Sequence, residues 1–255
     1  MALDLVTIPC LKDNYAYLLH DAASGDTALV DAPEAAPILD ALAARGWQLG
    51  QIFITHHHGD HIDGVAAIVA ATGARVLGAL ADAHRLPPLD RALVAGDTVT
   101  VGGEAGLVLD VSGHTIGHIA LHFAASGFAF TADSLMAGGC GRLFEGTPEV
   151  MWQSLSKLAA LPGETLICSG HEYTAANLRF AATIEPENPA LIARIAEVTK
   201  AREAGRATVP SRLSDEMATN VFLRAGLPQV KAALGMPDAP DVAVFAELRA
   251  RKNRF

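Results

Sequence analysis

The chain reads as an α/β protein, a mixed domain over residues 1–170 followed by a smaller helical domain over residues 171–255. Three observations predict this. Up to about residue 170, short apolar runs of strand length alternate with brief segments of helical period. From about Ala175, apolar residues recur at helical spacing between prolines at 186, 189, 210, 228, 237 and 240. The composition, 51% apolar and 18% charged over 255 residues, is too apolar for disorder and long enough for a substantial core.

In order, residues 3–8, 15–19 and 27–30 are short apolar stretches parted by the turn residues Lys12-Asp13-Asn14 and Ser24-Gly25-Asp26, as in a strand meander. Residues 37–44 place Ile38, Leu39 and Leu42 at helical spacing and stop before Gly46, a C-cap residue. Residues 51–55 form a buried strand, and residues 62–72 a small-residue helix ended by Gly73. Strand-like runs follow at 75–78, 98–101, 105–111, 118–123 and 128–132, then a helix at 152–161 and a last strand at 165–168. Helices are predicted at 175–184, 189–204, 214–224 and 242–251.

Charge and cysteine usage narrow the function. With 19 Lys and Arg against 28 Asp and Glu, the formal charge is −9, against a nucleic-acid partner. No apolar run approaches the ~20 residues of a membrane span. The start, Met-Ala-Leu-Asp, has no basic residue before Lys12 and does not read as a signal or transit peptide. Three scattered cysteines (Cys10, Cys140, Cys168) read as thiols in a reducing compartment, so the expectation is a cytoplasmic protein; a monomer is the accompanying expectation.

The chemistry concentrates in Thr55-His56-His57-His58-Gly59-Asp60-His61, where four of the ten histidines and an aspartate follow an apolar strand. A tight loop aims His56 and His58 at one point while His57 faces away, and Asp60 and His61 can aim at a second. Imidazole and carboxylate without cysteine suit Zn²⁺, Fe or Mn²⁺. Further candidates stand at later strand ends: His114, Asp133 and His171. Taken singly, each has a plain alternative, as a turn residue or a helix cap. Repetition at equivalent positions favours metal. No Gly-x-Ser-x-Gly occurs, which disfavours serine hydrolase chemistry.

Thr-His-x-His-x-Asp-His resembles the signature of the metallo-β-lactamase superfamily. Over nearly its whole length the chain resembles the glyoxalase II (hydroxyacylglutathione hydrolase) family. The matching segments include Asp13-Asn14-Tyr15, Gly113-His114-Thr115, Thr131-Ala132-Asp133-Ser134, Gly139-Cys140-Gly141-Arg142, Gly170-His171-Glu172-Tyr173-Thr174 and Arg249-x-x-Lys252-x-x-Phe255. The resemblance implies an αββα sandwich followed by a small C-terminal helical domain. It implies two divalent metal ions, zinc with iron or manganese as alternatives, one on His56, His58 and His114 and the other on Asp60, His61 and His171. Asp133 would bridge them, whereas His57 and His118 match positions that do not ligate metal.

The implied reaction is hydrolysis of a glutathione thioester, typically S-D-lactoylglutathione to D-lactate and glutathione. The nucleophile would be a hydroxide between the ions, with Asp60 and Asp133 as the catalytic carboxylates. Arg142, Tyr173, Arg249 and Lys252 match substrate-binding positions. Arg249 and Lys252 are spaced i, i+3 and so share a helical face, although a solvated helix end is the plain reading of that basic cluster. Phe144 stands where some members have a substrate-contacting tyrosine, and Arg142 where some have lysine. Two rivals share the fold: a single-iron glutathione persulfide dioxygenase, disfavoured by the complete second-ion set, and a lactonase or β-lactamase, disfavoured by the basic grip.

Overall fold

Three strands open the chain, β1 (Asp4–Cys10), β2 (Asn14–His20) and β3 (Thr27–Val30), paired antiparallel through the two predicted turns. The structure is a computed structural model describing residues 2–255. Helix α1 (Ala35–Arg45) then carries the chain across to β4 (Leu49–Ile54), which runs parallel to β3. Helices α2 (Gly59–Ile62) and α3 (Val65–Thr72) lead to β5 (Arg75–Ala79), and β6 (Arg91–Leu93) completes a six-stranded sheet in sequential order. Ile38 and Leu42 of α1 and Val65 and Ile68 of α3 pack with Leu18, Leu29, Ile52 and Ile54 of the sheet. Burying each such side chain stabilises the layer by roughly 1.5–3 kcal/mol.

A second, antiparallel set of strands follows: β7 (Thr98–Val101), β8 (Glu104–Asp110), β9 (Ile119–Phe123) and β10 (Phe128–Ala132). Its inner face meets the first sheet, the Phe130 ring lying edge-on to Tyr17 at 5.5 Å. These elements form one contact unit, residues 2–110 with Thr115–Ala132.

The second unit comprises Val111–His114 and Asp133–Phe255. It holds a small hairpin of β11 (Leu135–Met136) and β12 (Gly139–Cys140), helix α4 (Pro148–Ala159), and the antiparallel pair β13 (Leu166–Ser169) and β14 (Ser211–Arg212). Its remaining helices are α5 (Thr174–Ala182), α6 (Pro189–Glu203), α7 (Leu213–Thr219), α8 (Pro228–Leu234) and α9 (Asp241–Arg254). Local chemistry starts several of them. Thr147 caps α4 through Val150 N, and Asn188 caps α6 through the amides of Ala190 and Leu191, each with proline next in the chain. Phe180, Phe222 and Phe245 form the buried aromatic centre of this unit.

The α/β class with C-terminal helices agrees with the sequence reading, while several elements differ in detail. The predicted helix 62–72 is interrupted at Asp63-Gly64. Gly64 donates to the Ala32 carbonyl, and a Cβ there would sit 2.8–3.0 Å from backbone atoms of Ala32, Glu34 and Ala35. The predicted helix 214–224 ends at Thr219, because Asn220 is extended and its side chain is used elsewhere. Helix α4 starts earlier than residue 152, at its Thr147-Pro148 cap. Strand β6, the β11–β12 hairpin, β14 and α8 are absent from the sequence reading, being short and carrying little periodicity.

Candidate metal centre

The first unit holds the histidine-rich loop. Strand β4 is buried at Ile52, Phe53 and Ile54 and delivers Thr55 and His56 at its end. His58, Asp60 and His61 then follow through the one-turn helix α2. The His56 Nε2 and His58 Nδ1 atoms face each other at 3.1 Å, and the donor atoms of Asp31, His56 and His61 lie within 4.8 Å of one another. Asp60 is held by Asn14, whose Nδ2 donates to its carbonyl and to Oδ2, both at 3.0 Å.

Asp31 organises this loop. One carboxylate oxygen accepts from Thr55 N at 2.9 Å; the other accepts from Thr55 Oγ1 at 2.8 Å and from His61 Nδ1 at 2.7 Å. An ionised carboxylate only accepts, so His61 carries its proton on Nδ1 and presents Nε2 as a lone-pair donor. The same reasoning passes through Thr55. Its hydroxyl proton goes to Asp31, so its oxygen accepts from His56 Nδ1 at 3.0 Å, and His56 also presents Nε2. One aspartate therefore sets the tautomers of two histidines. Both Asp31 oxygens accept hydrogen bonds from the loop, so Asp31 supports the rings of the candidate ligands. His57 points elsewhere, to buried Asp82 at 3.0 Å, which also pairs with Arg85. His118 stacks on His56 with ring centroids 4.6 Å apart.

The second unit brings together His114, Asp133 and His171. The Nε2 atoms of His114 and His171 approach the same oxygen, Asp133 Oδ2, at 3.5 and 3.3 Å. His114 Nδ1 donates to the Arg142 carbonyl at 2.9 Å, which again leaves Nε2 as the donor face. The plain alternatives for Asp133 and His171 fail on geometry. Asp133 precedes strand β11 and no helix, and α5 begins at Thr174, beyond His171.

Of the predicted substrate residues, Tyr173, Phe144 and Arg142 touch these groups. Tyr173 stacks on His171 with ring centroids 4.7 Å apart and planes 6° apart. Phe144, exposed, lies edge-on to His114 at 5.2 Å. Arg142 is exposed next to its own carbonyl's contact with His114. Arg249 is buried at 5% exposure, donating from Nη1 to the Cys140 carbonyl at 2.8 Å with its guanidinium over the Phe222 ring. Lys252 Nζ donates to the Ala176 carbonyl at 3.0 Å and lies over the rings of Phe180 and Phe255. Burial, together with the positive charges of Arg249, Arg179 and Arg142, pulls its amine down to about 8. Four cations thus share one neighbourhood, a field that favours an anion.

The donor chemistry fits divalent ions. Imidazole and carboxylate form both clusters, and the three thiols lie outside them as buried, unbridged side chains. Sequence reasoning overlooked Asp31 as a functional residue, and also Asn14, Asp82 and Arg179. Asp31 had a usable signal, since it directly follows buried β3, the same strand-end position as the other candidates. A separate cavity of about 530 Å³, lined by Arg194, Glu197, Arg212 and Asp215 among others, contains none of the predicted site residues.

Comparison with known proteins places these features. Residues 13–171 match the family model of the metallo-β-lactamase superfamily, and residues 172–255 match that of the hydroxyacylglutathione hydrolase C-terminus. A hydroxyacylglutathione hydrolase of Cereibacter sphaeroides is 69% identical over 255 residues, covering all of both chains. Among solved structures, ETHE1 from Myxococcus xanthus superposes with a TM-score of 0.70 at 24% identity, covering 99% of this chain and 92% of its own. TTHA1623, solved in a di-iron-bound form, superposes with a TM-score of 0.58 at 27% identity, covering 66% of this chain and 91% of its own. With both family models matched in succession and a full-length relative at that identity, the chain belongs to the hydroxyacylglutathione hydrolase family of the metallo-β-lactamase superfamily.

Proposed function

We infer that the chain hydrolyses S-(2-hydroxyacyl)glutathione thioesters, the activity of its family, with S-D-lactoylglutathione as the typical substrate, giving D-lactate and glutathione. One observation carries this reading beyond family membership: residues proposed to grip the substrate touch residues proposed to hold metal. Tyr173 stacks on His171, and Phe144 meets His114 edge-on.

His56, His58 and His114 would hold one divalent ion and Asp60, His61 and His171 the other, with Asp133 shared between them. The di-iron form of TTHA1623 supports a two-ion centre; zinc, with iron or manganese as alternatives, is the metal proposed for this chain, since imidazole and carboxylate suit all three. When bound, such a pair supplies hydroxide at neutral pH and positive charge for the thioester carbonyl oxygen. The chain's own residues do the rest. Asp31 and Thr55 keep the donor nitrogens of His56 and His61 directed, and Asn14 keeps the Asp60 carboxylate from rotating. Arg142, Arg179, Arg249 and Lys252 supply the local positive field that a glutathione carboxylate needs on a chain of net charge −9. A thiolate leaves without a strong general acid, and no such acid is assigned.

A cytoplasmic location is part of the proposal, supported by three buried thiols with no disulfide among the described residues; a monomeric state is proposed with it. A catalytic domain over residues 1–170 and a helical substrate-binding domain over residues 171–255 are likewise proposed, with His171 at the boundary and Arg142 the one cation of the grip that precedes it. The deciding experiment is a spectrophotometric assay of S-D-lactoylglutathione cleavage on protein of measured metal content. Turnover that rises with metal loading to two equivalents is expected. Fully loaded protein that leaves the thioester intact would overturn the reading.

A further inference from the structure

The hairpin that follows Asp133 is fastened at five backbone groups by side chains of the C-terminal helices and of Asn220, just after α7. Asn177 of α5 donates to the Ala137 carbonyl at 3.1 Å. Asn220 donates to the carbonyls of Met136 at 3.3 Å and Gly139 at 2.9 Å. Arg249 takes the Cys140 carbonyl. The Gly138 amide at the tip donates to Glu216 Oε2 at 2.7 Å.

Glu216 is the centre of this arrangement. It is fully buried, and its carboxylate also accepts from Ser211 Oγ at 2.6 Å, Asn220 Nδ2 at 3.1 Å and the guanidinium of Arg194. A buried ion pair is a poor way to gain stability, because apolar residues of similar volume serve a core as well or better. What this carboxylate achieves is placement. The hairpin stems begin at Asp133 and close at Gly141, where Gly141 N donates to the Ser134 carbonyl at 3.2 Å. A Cβ on Gly141 would lie 2.0 Å from the Asp133 carbonyl oxygen and 2.9 Å from His114 Nδ1, so hairpin and ligands are in direct contact. A shift at the tip is therefore passed to the shared carboxylate on one side and to Arg142 on the other.

We propose that Glu216 is a positioning residue of the metal centre, acting through the Leu135–Cys140 hairpin to place Asp133. The inference rests on the proposed role of Asp133 as the shared ligand. Its consequence is that the C-terminal helices help build the centre in addition to gripping the substrate.

The test compares wild type with Glu216→Gln, Asn220→Ala and the mild Ser211→Ala, using zinc titration against a chelator, kcat and KM for S-D-lactoylglutathione, and thermal unfolding. Zinc affinity is expected to fall about tenfold in Glu216→Gln and Asn220→Ala, with kcat falling similarly and KM within about twofold. Ser211→Ala keeps the fold and gives a smaller loss in the same direction, so it carries the test if the other two do not fold. Variants that unfold at lower temperature while keeping wild-type zinc affinity and kcat would overturn the proposal, as would a change confined to KM. Wild type that binds two zinc ions without cleaving the thioester would count against the functional reading alone, since the zinc titration still decides the role of Glu216.

Discussion

The two units solve the same problem in opposite ways. The first presents four proposed ligands within six consecutive positions, oriented by one aspartate and one asparagine. The second collects three proposed ligands from positions 114, 133 and 171, and steadies them with a backbone carbonyl, a fastened hairpin and a stacked aromatic ring. A contiguous loop needs few supports because neighbouring residues share one backbone path. Dispersed ligands need a separate brace at each point: a loop carbonyl at His114, the hairpin held by the C-terminal helices at Asp133, and the Tyr173 ring at His171.

This contrast can be broken experimentally. The largest effect is expected at Asp31. Asp31→Asn retains the size and tolerates the positive φ of 57°, yet lacks an acceptor for one of its three donors. Metal affinity and activity should fall about 10–100-fold together. Metal analysis beside kinetics checks this, and wild-type affinity in the variant would mean that the loop orients itself.

An intermediate effect, sharpening the picture of the second unit, is expected from pH. Burial and neighbouring arginines lower the Lys252 amine to about 8 from its usual 10.5, so its charge fades as pH rises through about 8. KM for the glutathione thioester should then climb while kcat stays level, and Lys252→Arg should flatten the climb. Stability should move the other way. The folded amine binds its proton less tightly than the unfolded one, so the penalty of charging it is present below about 8. It is relieved as pH approaches 10.5. A flat KM from pH 7 to 9.5 would remove Lys252 from the grip.

The smallest effect belongs to Cys140. Its thiol is buried and raised by burial, although Arg249 nearby pulls it down. Cys140→Ala should keep nearly full activity, because the contact that matters there is the Cys140 carbonyl. Loss of turnover with intact metal content would point to a thiol role.

The legibility of the sequence follows the same contrast. The loop from Thr55 to His61 was readable because donors stand side by side after an apolar strand. His114, Asp133 and His171 were readable only as repeated strand ends. The braces were not readable: Asn177, Glu216 and Asn220 reach a hairpin that lies 40 to 84 residues away in the chain. No local period records such a partner. The helix predicted through residue 224 fails for this reason, since Asn220 leaves the helical path where its amide serves Met136 and Gly139.

Position 31 carries two independent filters. Its left-handed backbone admits chiefly glycine, asparagine and aspartate. Its three incoming protons demand a side chain with two accepting oxygens on a short stem. Only one amino acid passes both, so a randomised codon at this site leaves directed evolution nowhere to go, and improvement of the enzyme must be sought at other positions.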